Sequence, residues 1–283
     1  MGVTIAEALR EATLRLEATS DTARLDAELL LAHALGKSRS DVLLASRDQL
    51  GEAAPDRFEQ LVARRASHEP VAYITGNQEF FGLSFVVAPG VLIPRADSES
   101  VIEAALEAAP RAARVLDCGT GPGTLLLTFL AEQSEATGIG IDASAIALGI
   151  AATNCEALGL AGRTQFLRRD WNTPDWTDQL GQFDLILANP PYVEEGADLA
   201  PDVRQFEPGE ALFAGPEGLD DYRVLIPQLP ILLAKNGVAV LEIGATQHEA
   251  VEKIAGETGF DVQIRHDLGG RPRVCVLRLG LGK

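Results

Sequence analysis

Short apolar stretches alternate with helical patterns from about residue 94 onward, and this alternation constrains the fold more than any other feature. Strand candidates lie at 113–117, 138–142, 164–167, 183–188 and 237–242. Helical patterns separate most of them, notably 143–158 and 219–234. A helix through 249–257 and two more strands, near 260–265 and 273–279, follow. Strand–helix alternation of this kind predicts a doubly wound α/β sheet with helices on both faces.

The first 75 residues read as helices only. Thr4 and Glu7 have the spacing of a capping box, and Ile5, Leu9, Ala12 and Leu16 follow on one helical face. A second helix through 26–35 stops at Gly36, a third is short (41–45), and Pro55 opens a fourth through Phe58, Leu61 and Val62. This predicts a small helical bundle without a reactive constellation. Between the two regions, 79–81 and 84–87 are β-prone and separated by Gly82-Leu83, which predicts a connecting hairpin. The expected organisation is 1–75 helical, 76–93 hairpin linker, 94–283 α/β domain.

Composition narrows the function. With 46% hydrophobic residues in 283, the chain can build a sizeable core. Its 41 acidic and 24 basic side chains leave a net charge of −17. Such a chain repels phosphate backbones, which argues against direct binding of nucleic acid. No apolar run approaches the ~18–20 residues of a membrane span. Cys118, Cys155 and Cys275 are odd in number and scattered, so no disulfide framework is expected, and the N-terminus lacks the features of a leader. Both point to a reducing cytoplasm. His33, His68, His248 and His266 show no metal-ligand spacing, and no metal is expected.

Two motifs carry chemistry. Asp117-Cys-Gly-Thr-Gly-Pro-Gly123 follows an apolar strand and opens a helical run. Gly119, Gly121 and Gly123 allow a sharp turn and close approach of a ligand. Asp142 ends the next strand, at the distance where an acid accepts hydrogen bonds from ribose hydroxyls. The spacing G-x-G-x-G, preceded by an acid, resembles motif I of the class I S-adenosylmethionine-dependent methyltransferases. That resemblance places the cofactor along Gly119, Thr120, Gly121, Pro122 and Gly123, with its ribose at Asp142. Pro122 lacks an N–H and so cannot be a donor there. Asp117 either serves this site or only caps the loop.

The second motif is Asn189-Pro-Pro-Tyr192, directly after the strand at 183–188. An amide or exocyclic amino nitrogen is a poor nucleophile because its lone pair is delocalised. The Asn189 side-chain oxygen and the Pro190 carbonyl can each accept one of its N–H groups, freeing the lone pair for an incoming methyl group. The same acceptors stabilise the positive charge that develops. Pro190 and Pro191 fix the backbone, and Tyr192 offers a flat wall to a planar amide or base. No general base is evident, and alignment is the main expected contribution. Trp171 is either a stacking partner for adenine or a partly buried surface tryptophan. Glu242 reads as an ordinary strand-end charge or as a contact on the cofactor side.

Nearly the whole chain then resembles the release-factor glutamine N5-methyltransferases of the HemK/PrmC type. The matching segments are Asp26-Ala-Glu-Leu-Leu-Leu-Ala-His-Ala-Leu35, Glu69-Pro-Val-Ala-Tyr-Ile-Thr-Gly76, and Leu92-Ile-Pro-Arg95 with Asp97 and Glu99. The glycine loop, Asn189–Tyr192, Glu207-Pro208, Ala211-Leu212, Gly215 and Gly218-Leu219 complete them. The resemblance implies a Rossmann-like class I methyltransferase sheet joined by a β-hairpin to the helical bundle. It implies S-adenosylmethionine as cofactor and the glutamine of the Gly-Gly-Gln loop of peptide-chain release factors as substrate. Asn189, Pro190 and Tyr192 would be catalytic, Asn189 would touch the cofactor as well as the substrate, Asn189 to Tyr192 would form the glutamine pocket, and Trp171 would lie at the adenine. Phe80 or Phe81 would close over the methionine end, and Arg95 would anchor or touch substrate, with Ala96 where many relatives have proline. Asn-Pro-Pro-Tyr is shared by N6-adenine nucleic-acid methyltransferases, so that reading stays open, as does a ribosomal-protein glutamine as substrate.

Overall fold

The computed structural model describes residues 3–51 and 54–280; the outermost residues of the expected first and last domains, and 52–53, lie outside these. The chain forms two compact units. The first runs to Asn77 and includes the later segment Leu199–Phe206; the second comprises Gln78–Asp198 and the chain from Glu207 onward.

The first unit holds α1 (Ile5–Leu16), α2 (Ala23–Leu35), α3 (Arg39–Leu44), α4 (Ala54–Ala66) and α5 (Val71–Thr75). The Thr4–Glu7 capping box is formed, and α2 ends on Gly36 in the left-handed conformation. Leu9, Leu16, Leu30, Leu31 and Val62 make the core. A buried ion pair crosses it: Arg65 Nε donates to Asp26 Oδ2 at 2.7 Å, and Ser20 and Thr22 donate their hydroxyls to the same carboxylate. Replacing Asp26 with alanine leaves Arg65 buried with the Glu69 carbonyl at 3.4 Å and Asp202 at 3.8 Å as its remaining partners among the described residues. We expect this to destabilise the protein by about 3 kcal/mol in denaturant unfolding. A loss under about 1 kcal/mol would mean that water reaches the guanidinium.

At the head of the second unit is the hairpin β1 (Asn77–Phe80), whose first residue alone groups with the first unit, and β2 (Leu83–Val86). The expected connection Gly82-Leu83 is one residue late. Phe81 and Gly82, at φ 51° and 73°, form the turn, because two left-handed residues match the twist of the strands. Then follow α6 (Glu99–Ala108), β3 (Arg114–Cys118), α7 (Thr124–Glu132), β4 (Thr137–Asp142), α8 (Ala145–Ala157), β5 (Thr164–Arg168) and β6 (Phe183–Ala188). After α9 (Pro201–Phe206) of the first unit come α10 (Asp220–Leu225), α11 (Leu229–Leu232), β7 (Leu233–Glu242), α12 (His248–Glu257), β8 (Phe260–His266) and β9 (Pro272–Leu279). The single helix expected at 219–234 is broken, with Pro227 and Pro230 interrupting it, and β7 begins at Leu233 rather than 237.

Among the described residues the sheet has seven strands in the order β5-β4-β3-β6-β7-β9-β8. The first five are parallel and the last two pair antiparallel. Alternate residues of each strand serve opposite faces. Val115, Leu185, Leu187 and Val240 pack against α6 and α7, whereas Leu116, Ile186, Ala239 and Leu241 pack with Tyr222, Leu225 and Val251 of α10 and α12. The expected three-layer α/β class is the one observed.

Candidate active site

Strand register brings the two motifs together. Cys118 of β3 is level with Ile141 of β4 and Ala188 of β6, and Ala188 is level with Leu241 of β7. One residue further on, the four strands deliver Asp142, Gly119, Asn189 and Glu242 as a row across their carboxyl ends. Strand order reverses between β3 and β6, and open α/β sheets bind ligands at that point.

A cavity of about 580 Å³ opens there, within the usual range for small-molecule sites. Gly119, Thr120, Gly121, Pro122, Asp142, Trp171, Asn189 and Pro191 line it, together with Asp117, Arg95 and Ser98. Three of the expected residues do not. Gly123 sits behind the loop at the start of α7, where a Cβ would come within 2.7 Å of Leu127. Pro190 is buried in the turn, and Tyr192 is half-buried with its hydroxyl directed at Glu242.

The glycine loop spends its donors within the fold, most of them on the end of β4. Gly119 and Thr120 both donate their amides to the Ile141 carbonyl, Gly121 to Asp142 Oδ2 at 2.9 Å, and Gly123 to the Thr120 carbonyl. Pro122 has no N–H, and its carbonyl accepts from Asn154 Nδ2 at 2.8 Å. The loop therefore offers a ligand no amide; it offers bare Cα surface and the carbonyls of Gly119 and Gly121, which accept no hydrogen bond among the described residues. Asp142 is the brace: its Oδ1 accepts from the Ser144 amide while Oδ2 holds Gly121. Burial raises its pKa, against those backbone bonds.

Asp117 is 1% exposed and lines the cavity. Its Oδ2 accepts from the Thr120 hydroxyl at 2.6 Å, its Oδ1 has no hydrogen-bond partner among the described residues, and the Leu126 backbone acts with Thr120 to oppose the effect of burial. Burial pushes its pKa up to about 7. An unpartnered buried carboxylate oxygen beside free carbonyls suits an ammonium group, which would hold the carboxylate ionised. Trp171 packs edgewise over Gly119, whose Cβ would meet the ring at 3.1 Å, and its indole N–H donates to Asp221 at 2.9 Å.

On the other side of the row, the Asn189 side chain has no hydrogen-bond partner among the described residues, and no hydrogen bond ends on the Pro190 carbonyl. Both acceptors are unengaged within the described chain, and of the two residues Asn189 lines the cavity. The turn behind them is held firmly: Gln247 Nε2 donates to the Tyr192 carbonyl at 2.9 Å and to the Gly218 carbonyl at 3.1 Å. A Cβ at Gly218, already at φ +65°, would lie 2.3 Å from that Tyr192 oxygen. Glu242 accepts from the Tyr192 and Ser98 hydroxyls, and burial raises its pKa against those two bonds and Arg273. It is no ordinary surface charge at a strand end. Arg95 pairs with buried Glu207, which also accepts the Ile93 amide. Neither phenylalanine of the hairpin lines the cavity: Phe80 is in the core against Phe85, and Phe81 occupies the turn.

Sequence reasoning missed Asn154, Gln247, Ser98 and Glu207 as supports of the site. The one usable signal was Glu242, an acid closing an otherwise apolar run, 238–241.

A family model described as "PrmC N-terminal domain" matches residues 7–76, and one described as "Methyltransferase small domain" matches 95–206. The chain is 43% identical over 280 residues to the release factor glutamine methyltransferase of Cereibacter sphaeroides, covering 97% of this chain and 98% of that one. Its likeness to the protein of the same name from Moorella thermoacetica is 41% over 282 residues, covering 97% and 98%. Two solved structures share the fold alone. A methyltransferase from Pyrococcus furiosus has TM-score 0.53 at 15% identity, over 80% of this chain and 99% of that one. An O-methyltransferase family protein from Burkholderia thailandensis has TM-score 0.52 at 13% identity, over 93% and 96%. Near-full-length identity of about 40%, with both family models in their expected places, settles the relationship: the chain belongs to the release factor glutamine methyltransferase family.

Proposed function

We propose that this protein methylates the side-chain amide nitrogen, N5, of the glutamine in the Gly-Gly-Gln loop of peptide-chain release factors. The observation that carries the reading is the row of strand ends, in which Asn189, with a free side-chain amide, stands beside Gly119 of the glycine loop. S-adenosylmethionine, when bound, supplies a methyl group activated on a sulfonium. Asp117 and the loop carbonyls would hold its ammonium, Asp142 its ribose hydroxyls, and Trp171 the adenine end.

The residues of this chain then do three things. Asn189 Oδ1 and the Pro190 carbonyl accept the two N–H groups of the glutamine, turning its lone pair toward the cofactor side. They stabilise the positive charge that develops on nitrogen. Pro191 lines the slot, and Tyr192 supports the turn from behind rather than forming its wall. The proton leaves after transfer, so no base is required.

Residues 1–75 would recognise the body of the release factor, 76–93 link the units, and 94–283 carry the chemistry. A net charge of −17 favours a protein partner over nucleic acid. Among the described residues no helix is long and apolar enough to cross a membrane, and the three cysteines are buried and free. Both are consistent with a cytoplasmic enzyme.

The test uses labelled S-adenosylmethionine with a purified release factor, the same factor with its glutamine changed to alanine, a ribosomal-protein mixture, and duplex DNA. Label on the intact factor that disappears with the alanine change is expected. Label on DNA, or only on ribosomal protein, would overturn the substrate.

A further inference from the structure

Glu242 stands next to Asn189 in the row and is 1% exposed. Burying a carboxylate is costly, and the four residues before it in β7 are apolar and buried. Packing alone would favour another apolar side chain here. What the carboxylate does instead is join two segments far apart in sequence. Its Oε1 accepts from the Tyr192 phenol at 3.1 Å, and its Oε2 accepts from the Ser98 hydroxyl. Tyr192 belongs to the Asn189 turn, and Ser98 to the stretch after Arg95 that borders the same cavity. The Glu242 main chain is fixed in turn, since its carbonyl accepts from the Tyr222 hydroxyl at 2.9 Å. With Gln247 on the Tyr192 carbonyl, Tyr192 is held at both its ends.

We propose that Glu242 is a positioning residue for methyl transfer: through the Tyr192 and Ser98 hydroxyls it locks the Asn189 turn against the Arg95–Ser98 segment. This rests on the reading of Asn189 and Pro190 as the acceptors of the glutamine N–H groups. The reason such a brace matters is geometric. Two acceptors must hold one nitrogen with its lone pair in line with the methyl group, and a misplacement of about 1 Å can cost 10²-fold. A turn of two successive prolines after a strand has few hydrogen bonds of its own to hold it.

The full-length enzyme is assayed with release factor and S-adenosylmethionine, using Glu242→Leu, Glu242→Gln, Tyr192→Phe and the double variant Tyr192→Phe/Glu242→Leu. Glu242→Leu should lower kcat about 100-fold while cofactor affinity, read by calorimetry, stays within about twofold. Glu242→Gln, which keeps polar partners for both hydroxyls, should recover most of the loss. Tyr192→Phe should fall by a large part of the Glu242→Leu loss, and the double variant should fall no further than Glu242→Leu, as for residues acting through one contact. Wild-type kcat in Glu242→Leu, losses that multiply in the double variant, or no recovery in Glu242→Gln would overturn the inference. Should Glu242→Leu fail to fold, Tyr192→Phe combined with Ser98→Ala removes both donors; a comparable drop in kcat supports the brace, and wild-type kcat overturns it. Asn189→Ala runs beside them. If it keeps full activity, the reading of the glutamine slot fails and the brace with it; if it alone loses activity, only the brace fails.

Discussion

Replacing Asn189 with alanine lowers kcat about 10²–10³-fold and leaves cofactor affinity within a few-fold of the parent. The expected size follows from what the side chain is asked to do. In the ground state the glutamine amide is neutral, and a hydrogen bond to Asn189 Oδ1 replaces one to water at little net gain. As the nitrogen takes on the methyl group its N–H groups become cationic donors, and the bond to a fixed acceptor strengthens. The interaction is therefore worth more in the transition state, and its loss falls on kcat. The Asn189 side chain has no partner within the chain among the described residues, so the acceptor is in place before substrate arrives and no internal bond need break. Single-turnover transfer at saturating release factor and cofactor measures the effect, and calorimetry with the cofactor alone measures the control. A fall in cofactor affinity as large as the fall in rate would assign Asn189 to binding and remove it from the chemistry.

Much of this architecture is legible because it is local. Alternating apolar strands and helices, Gly36 at the end of α2 and the Thr4–Glu7 capping box are decided within a few residues, and each is present in the fold, the cap and the capping box at the residues the pattern names. Failures arise where a local preference is overruled. The hairpin turn uses Phe81 at φ +51°, a conformation bulky residues rarely adopt, and the turn and the second strand come one residue earlier as a result. The apolar pattern at 219–234 reads as one helix, yet Pro227 and Pro230 divide it and release the chain into β7 early. Helix α9, which groups with the first unit although it lies between Asn189 and Glu207 in sequence, left no signal at all.

The cavity shows the same division. Gly119, Asp142 and Asn189 are motif residues at strand ends, and a reader of the sequence can place them together. Their supports come from far along the chain: Asn154 reaches Pro122 across 32 residues, Gln247 reaches Tyr192 across 55, and Glu242 reaches Ser98 across 144. Nothing in a sequence window reports such bonds. The glycine loop is the clearest case, because its spacing suggests backbone donors for a ligand whereas the fold consumes every amide in it.

That consumption makes Asp142 the residue on which cofactor affinity depends most. Asp142→Ala should raise the dissociation constant for S-adenosylmethionine about 100-fold, or roughly 2.7 kcal/mol. Two effects combine. The Gly121 and Ser144 amides lose a charged acceptor, and the loop between β3 and α7 loses the bond that sets its distance from β4. The second effect is loss of the carboxylate oxygens that remain able to accept from ribose hydroxyls, since each oxygen has a further lone pair after its bond to the backbone. Asp142→Asn separates the two. Its single side-chain oxygen can keep one of the backbone bonds but not both, and it carries no charge, so an intermediate rise of about tenfold is expected, hydrogen bonds to charged groups being worth about 1.5–3 kcal/mol. Calorimetry on the folded variants reads both values, with unfolding midpoints as the companion measurement. Unchanged affinity in Asp142→Ala with a lowered midpoint would make the residue a brace of the loop only, and would move the ribose elsewhere in the cavity. Equal losses in the two variants would instead place the whole effect in what both lack, the charge and the second acceptor oxygen.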